Sequence, residues 1–244
     1  MKVIVKKYGG TSVSSVTKIK NIAKKVVEDA AHNKVVVILS AMGKTTDQLV
    51  SLANRCTKNP DMRDYDLLVS SGEQVSISLL SMSIKDLGRD SVAYTGWQAG
   101  IRTNNSHSSA RIVGINANKI KKDLKENKIV IVAGFQGINN GFITTLGRGG
   151  SDTSAVAIAA ALKAAECQIF TDVDGVYTTD PRVCSKAKKV DQMTYEEMLE
   201  MSGLGSKVLQ LRSVEFASKY SVPVRVMHAH NSGSGTLIKK EEKS

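Results

Sequence analysis

The chain has 244 residues, 41% hydrophobic and 23% charged, the profile of an ordinary folded domain rather than of a disordered, collagenous or coiled-coil chain. It carries 34 Lys and Arg against 23 Asp and Glu, a net charge of +11, yet only 5% aromatics, so a base-stacking nucleic-acid platform is not indicated. No stretch approaches the about 20 apolar residues of a membrane span, and Cys56, Cys167 and Cys184 form no CxxC pair, which argues against a disulfide framework or zinc ribbon and fits a reducing cytoplasm.

In chain order, Val3–Val5 begins a strand that ends at Tyr8-Gly9-Gly10. Charge interrupts this short apolar run, so it does not read as a secretory leader. Val16, Ile19, Ala23, Val26 and Ala30 then recur at three- and four-residue steps, the stripe of an amphipathic helix with its lysines outside. Val35–Leu39 is a continuously apolar, β-branched run, as expected of a strand buried on both faces of a parallel sheet. Strand, glycine turn, helix, strand is a right-handed βαβ unit. Leu67–Leu87 predicts one long helix, 91–95 a strand, Asn116–Glu126 a basic helix and Ile129–Ala133 another buried strand. Asn139-Asn140-Gly141 predicts a hairpin turn. Ser151–Ala165 reads as an Ala-rich helix, Cys167–Thr171 as a strand, Tyr195–Met201 and Ser206–Tyr220 as helices, and Val222–Val226 and Thr236–Ile238 as the last strands. The expected fold class is α/β: an open, mainly parallel sheet sandwiched by helices on both faces.

Ligands of open parallel sheets bind beyond the carboxyl ends of the strands, and four such ends are unusual. The first is Lys7-Tyr8-Gly9-Gly10-Thr11-Ser12, where glycines admit an anion to backbone N–H groups beside a lysine. The second is Ser40-Ala41-Met42-Gly43-Lys44-Thr45-Thr46-Asp47; it is no P-loop, because Ile38 stands where the first glycine is needed. The third is Thr144–Ala155, in which glycines surround Arg148 and Ser151 or Asp152 is expected to cap the following helix. Asp152 occupies the place of the third glycine of a GxGxxG pattern, which disfavours a nicotinamide site. The fourth, Phe170–Arg182, is dense in Asp, Gly and Thr; Val176 and Val183 fall where a calcium loop needs acids, so a nucleotide loop with Tyr177 against a base and Arg182 toward phosphate fits better. Together these ends form one cationic rim suited to phosphoryl transfer.

Lys7-Tyr-Gly-Gly-Thr-Ser-Val13, Leu39–Asp47, Ser71-Gly-Glu73, Thr145-Leu-Gly-Arg-Gly-Gly-Ser-Asp152, Thr171–Arg182 and Gly205-Ser-Lys-Val-Leu209 closely resemble, in order and over almost the whole chain, the motifs of the aspartokinases. The resemblance implies the amino-acid kinase fold as a single domain over 1–244, with an aspartate-binding lobe at about 1–145 and a nucleotide-binding lobe at about 146–240. It implies ATP-dependent phosphorylation of the side-chain carboxylate of L-aspartate to 4-phospho-L-aspartate, the first step toward lysine, threonine and methionine. Lys7, Asp152 and Lys207 would be catalytic, and Gly9, Gly10, Ser40 and Gly43 would bind phosphate. Thr46, Glu73, Arg148 and Ser151 would bind aspartate, Glu73 through the α-ammonium and Arg148 through the α-carboxylate. Lys7, Thr171, Asp172, Tyr177, Arg182, Lys207 and Val208 would bind ATP. No general base is required, since the attacking carboxylate is ionised at neutral pH. Mg²⁺ is expected to ride on the ATP phosphates, with Asp152 near its shell, rather than in a protein cage.

Family members commonly continue into a pair of ACT regulatory modules. These residues show no counterpart of them, and neither lysine nor threonine is expected to inhibit this chain. Expected partners are aspartate and ATP, with neither nucleic acid nor membrane, and a dimer through the kinase core stays open. Other kinases of the superfamily, a non-catalytic ligand-binding subunit and a nucleic-acid binder are the competing readings. His228 and His230 lack a third metal ligand, His107 in its polar loop is expected in solvent, with a place on the aspartate site as the alternative, Trp97 in packing, and the cysteines as core or surface thiols.

Overall fold

A computed structural model describes residues 1–181, 183–206, 208–231 and 233–241. Its elements, in order, are β1 (Val3–Tyr8), α1 (Val16–Asp29), β2 (Lys34–Leu39), α2 (Thr45–Cys56), α3 (Met62–Val69), α4 (Ser71–Asp86) and β3 (Ser91–Tyr94). Then come β4 (Ile101–Thr103), β5 (Ile112–Ile115), α5 (Asn118–Lys125), β6 (Ile129–Ala133), β7 (Gln136–Asn139), β8 (Phe142–Thr145), α6 (Gly150–Leu162) and β9 (Glu166–Thr171). The last are β10 (Val176–Tyr177), β11 (Lys189–Val190), β12 (Gln192–Thr194), α7 (Tyr195–Gly203), α8 (Leu211–Tyr220), β13 (Val224–His228) and β14 (Thr236–Lys239).

Eight strands form the main sheet in the order β12-β14-β13-β9-β1-β2-β6-β3. Every neighbouring pair is parallel except β13 with β14. The β-branched runs do what their composition dictates: β6 is buried throughout, and β2 from Val35 to Leu39. Period-two alternation divides their side chains between two cores. Val36, Ile38, Val130 and Val132 pack with α5, α6, α7 and α8 on one face. Val35, Val37, Ile129 and Ile131 pack with α1 and α4 on the other. Ser15 caps α1 by accepting from the Lys18 N–H, and Ile19, Ile22, Ala23 and Val26 form its buried stripe, while Val16 is exposed. A smaller sheet, β5-β4-β7-β8, and the ribbon β10-β11 complete the fold. The β7–β8 turn has Asn140 and Gly141 both at positive φ (47° and 86°), as the Asn-Gly pair requires.

The expected single helix over 67–87 is two. Between α3 and α4 the Ser70 and Ser71 hydroxyls bond back to Leu67 O and Leu68 O, and Ser70 O is diverted to the Gln136 amide at 2.9 Å. The joint run Met62–Asp86 is long and apolar enough to cross a membrane, contrary to expectation, but half of its most apolar window is buried and it carries the buried Asp66 and Glu73. Helix α8 begins at Leu211 rather than Ser206, after Gly205 turns the chain at φ +105°. Helix α2 was not expected, and only Ala53 of it is buried.

Candidate active site

A cleft of about 560 Å³ opens beyond the carboxyl ends of β1 and β2. Its lining brings together Lys7, Gly9, Gly10, Ser40, Thr46, Glu73, Arg148, Ser151 and Asp152, nine of the residues singled out in the sequence. The alternation of β1 sends Lys6 and Tyr8 to the α1 side and Lys7 to the α6 side. Lys7 is flanked in register by Ile38 and Ile169, so its charge is met from above, by Asp152 in the first turn of α6. The Lys7 Nζ to Asp152 Oδ1 distance is 2.6 Å, with the two side chains 12% and 11% exposed. The contact is an ion pair rather than a directed hydrogen bond.

The two phosphate-type turns press together. Gly43 N–H donates to Gly10 O at 2.9 Å, and a Cβ on Gly10 would stand 2.9 Å from Ala41 O and 3.0 Å from Gly43 O. Only glycine lets the turns approach this closely. Gly43 supports that contact but is not itself on the cleft wall. Ser151 or Asp152 was expected to cap α6. Instead Gly149 occupies the N-cap at φ +71° with no side-chain cap, and Ser151 and Asp152 lie inside the first turn. The left-handed cap aims the N-terminus of α6 at the cleft, where its partial positive charge favours anions.

Glu73, at the start of α4, is 2% exposed. Its Oε1 accepts from Ala41 N–H at 3.1 Å, and its Oε2 has no partner. Burial pushes the carboxyl up to about 7, against the lowering effect of the Ala41 N–H. Across the cleft Arg148 is exposed and makes no ion pair among the described residues. An unpaired buried carboxylate oxygen and a free guanidinium in one cleft suit a zwitterionic ligand.

Of the expected nucleotide residues, Lys7 lines this cleft, whereas Thr171, Asp172, Tyr177 and Val208 do not. Tyr8 pairs with Phe170 and stacks on it, with centroids 4.5 Å apart, so Thr171 and Asp172 continue alongside Gly9. Thr171 donates to Asp172 Oδ1 at 3.0 Å, and Tyr177 donates to Asp174 Oδ1 at 2.9 Å. Val208 packs against the core. Arg182 and Lys207 lie outside the described residues.

Several cleft residues escaped the sequence reading: Tyr65, Ser108, Phe135 and Gln210, while Thr145 was read only as part of a motif and given no role. Asp66 also escaped it, and its only signal was a carboxylate on an otherwise apolar helix face. His107 is not in solvent: its Nδ1 lies 2.8 Å from Asp66 Oδ2. Trp97, expected to pack, is 49% exposed on a turn. His228 Nδ1 accepts from the His230 and Asn231 N–H groups, which turns the chain, and no group of three or more His, Cys, Asp or Glu able to hold a metal exists among the described residues.

The family model described as the amino acid kinase family matches residues 2–228. The chain belongs to the amino acid kinase family. This family member is 56% identical to the aspartate kinase of Pseudomonas putida over 244 residues, which is 99% of this chain and 59% of that protein. It is 54% identical to aspartokinase 2 of Bacillus subtilis over 99% of its own length and 60% of that protein's. It thus spans about three fifths of these curated relatives. Among solved structures, it superposes on 99% of itself and 65% of Escherichia coli aspartokinase III in complex with aspartate and ADP, with a TM-score of 0.90 at 29% identity. Bacillus anthracis UMP kinase, at 17% identity and a TM-score of 0.72 over 99% of this chain and 97% of that one, shares the fold alone.

Proposed function

We propose that this amino acid kinase chain transfers the γ-phosphoryl group of ATP to the side-chain carboxylate of L-aspartate, giving 4-phospho-L-aspartate and ADP. The observation that carries the reading is the cleft itself. The Lys7–Asp152 pair stands beside the glycine turns, with the unpaired Glu73 oxygen and Arg148 sharing the same cavity. The names of its relatives, an aspartate kinase and an aspartokinase solved with aspartate and ADP, agree with it.

In this reading Glu73 binds the α-ammonium and Arg148 the α-carboxylate, leaving the side-chain carboxylate directed at Lys7. That carboxylate is ionised, so no group need take a proton from it. Its oxygen forms the new P–O bond as the bond to the β-phosphate oxygen breaks, and ADP carries away the electron pair. Lys7, the N–H groups of Gly9 and Gly10 and the N-terminus of α6 hold the charge on the moving phosphoryl. Asp152 keeps Lys7 extended over the turns. Ser40, Thr46 and Ser151 complete the amino-acid and phosphate walls, Gly43 braces the Gly10 turn from behind, and Thr171, Asp172, Tyr177, Arg182, Lys207 and Val208 form the nucleotide side. Mg²⁺ would arrive on the triphosphate and neutralise it, with Asp152 the carboxylate beside Lys7. The three free thiols suit a reducing cytoplasm.

Trapping the acyl phosphate with hydroxylamine tests the reading. Aspartyl hydroxamate should form only with ATP, Mg²⁺ and aspartate together. Absence of product with aspartate, or equal product with glutamate or acetylglutamate, or phosphorylation of UMP, would overturn it.

A further inference from the structure

Asp66 on α3 is fully buried, and nothing in the reaction described above uses it. Both of its oxygens are saturated by donors from two separate segments of chain. From 104–110, His107 Nδ1 donates at 2.8 Å and the Ser108 N–H is shared between both oxygens at 3.0 Å. From the end of β8, the Thr145 N–H donates at 3.0 Å and its hydroxyl at 2.5 Å. A buried carboxylate holding two backbone N–H groups and a hydroxyl is fixed far more firmly than a surface acid.

The two segments it holds are walls of the cleft. Ser108 and Thr145 line it, and Thr145 leads in three residues to Arg148. Ser108 sits at φ +60°, which a serine adopts at a cost unless its surroundings impose it. A Cβ on Gly147, itself at φ +74°, would stand 3.0 Å from Ser108 O, so the two turns are in contact. The Ala110 N–H donates to Thr145 O at 2.9 Å and closes a second link. A continuous path therefore runs from α3 through Asp66 to Ser108 and Thr145, then through Gly147 to Arg148.

We propose that Asp66 is a positioning residue for the amino-acid subsite: it ties the Ser108 turn and the Arg148 turn to α3 and so sets where the guanidinium stands. This rests on the reading of the cleft as an aspartate site. Asp66 touches neither substrate, and its loss acts on the amino acid more than on the nucleotide.

The test is Asp66→Asn, an isostere that keeps one accepting oxygen and turns an NH₂ toward donors. The KM for aspartate should rise about tenfold or more, the loss expected for a hydrogen bond to a charged group, while the KM for ATP changes less than about twofold. Amide exchange in 104–110 and 145–149 should quicken together. A folded variant with unchanged KM for aspartate, or with both KM values raised equally, overturns the proposal. If Asp66→Asn does not fold, the wild-type chain decides by residue-resolved exchange. The Ser108 amide should be protected where those of Asn105 and Ser106 are not, and an unprotected Ser108 amide overturns the anchor. Exchange does not depend on turnover, so a chain inactive toward aspartate with a protected Ser108 amide would sink the functional reading and with it the positioning role, leaving only the anchor.

Discussion

Lys7 and Glu73 occupy opposite electrostatic conditions within one cleft. Lys7 has its counter-charge in Asp152, 2.6 Å away, so Lys7→Met leaves a mostly buried carboxylate uncompensated. That variant should lose about 10²–10³-fold in kcat and also melt earlier. The double variant Lys7→Met/Asp152→Asn should recover the melting temperature without recovering turnover. Thermal melts beside steady-state kinetics separate the two effects. Glu73 has no counter-charge, and burial raises its carboxyl from the ordinary 4.5 to about 7. The folded chain then keeps a proton that the unfolded chain releases, so its contribution is fully present below about pH 4 and is lost as pH rises through about 7. Glu73→Gln retains the acceptor for the Ala41 N–H and removes the titration. Its stability relative to wild type should climb between pH 5 and 8, toward about 3 kcal/mol in denaturant titrations. The same substitution should weaken aspartate binding, because the α-ammonium loses its anion.

Helix α6 carries Asp152, proposed above as a catalytic residue, and has no solvent face in its middle turns: Ala155, Val156, Ala157, Ile158 and Ala159 are all buried. Alanines allow it to lie close against β1 and β2, and that approach sets the height of Asp152 over Lys7. Enlarging Ala155 to Leu should cost about 1–3 kcal/mol by overpacking and should also lower kcat, since Asp152 is one turn away. Helix α7 offers the contrast. Its capping box, with Thr194 accepting from the Glu197 N–H and the Glu197 carboxylate accepting from the Thr194 N–H, supports a helix remote from the cleft. Thr194→Ala should cost about 1 kcal/mol with kcat unchanged. Equal losses of kcat in the two variants would separate the position of α6 from the chemistry.

Across the whole molecule the sheet does two jobs. Its two faces bury separate apolar cores, and its carboxyl edge carries the turns after β1, β2 and β9, beside which the smaller sheet sets the turn after β8. The net charge of +11 gives the molecule a long-range field attractive to a nucleoside triphosphate. Salt at 0.15 M screens exposed charges beyond about 8 Å. The kcat/KM for ATP should therefore fall several-fold as ionic strength rises, while kcat at saturation stays level. A salt-independent kcat/KM would remove the long-range field from the account.

Strand identity and the glycine turns were legible because each depends on neighbours in sequence. A β-branched apolar run buries on both faces wherever it sits, and Gly10 or the Asn140-Gly141 pair answers to local backbone geometry. Lys7, Arg148 and Asp152 stood out for the same reason, as charges set among glycines at strand and helix ends. The break at Ser70 was not legible, since it depends on Gln136, 66 residues later, drawing off a carbonyl. Nor was the cap of α6, where backbone handedness rather than an available serine decides. Asp66 went unnoticed and His107 was expected in solvent because the partners of Asp66 lie 41 and 79 residues away along the chain. Local propensity announces which segments fold and which turns admit an anion; burial of a charge among distant donors exists only once the layers have packed.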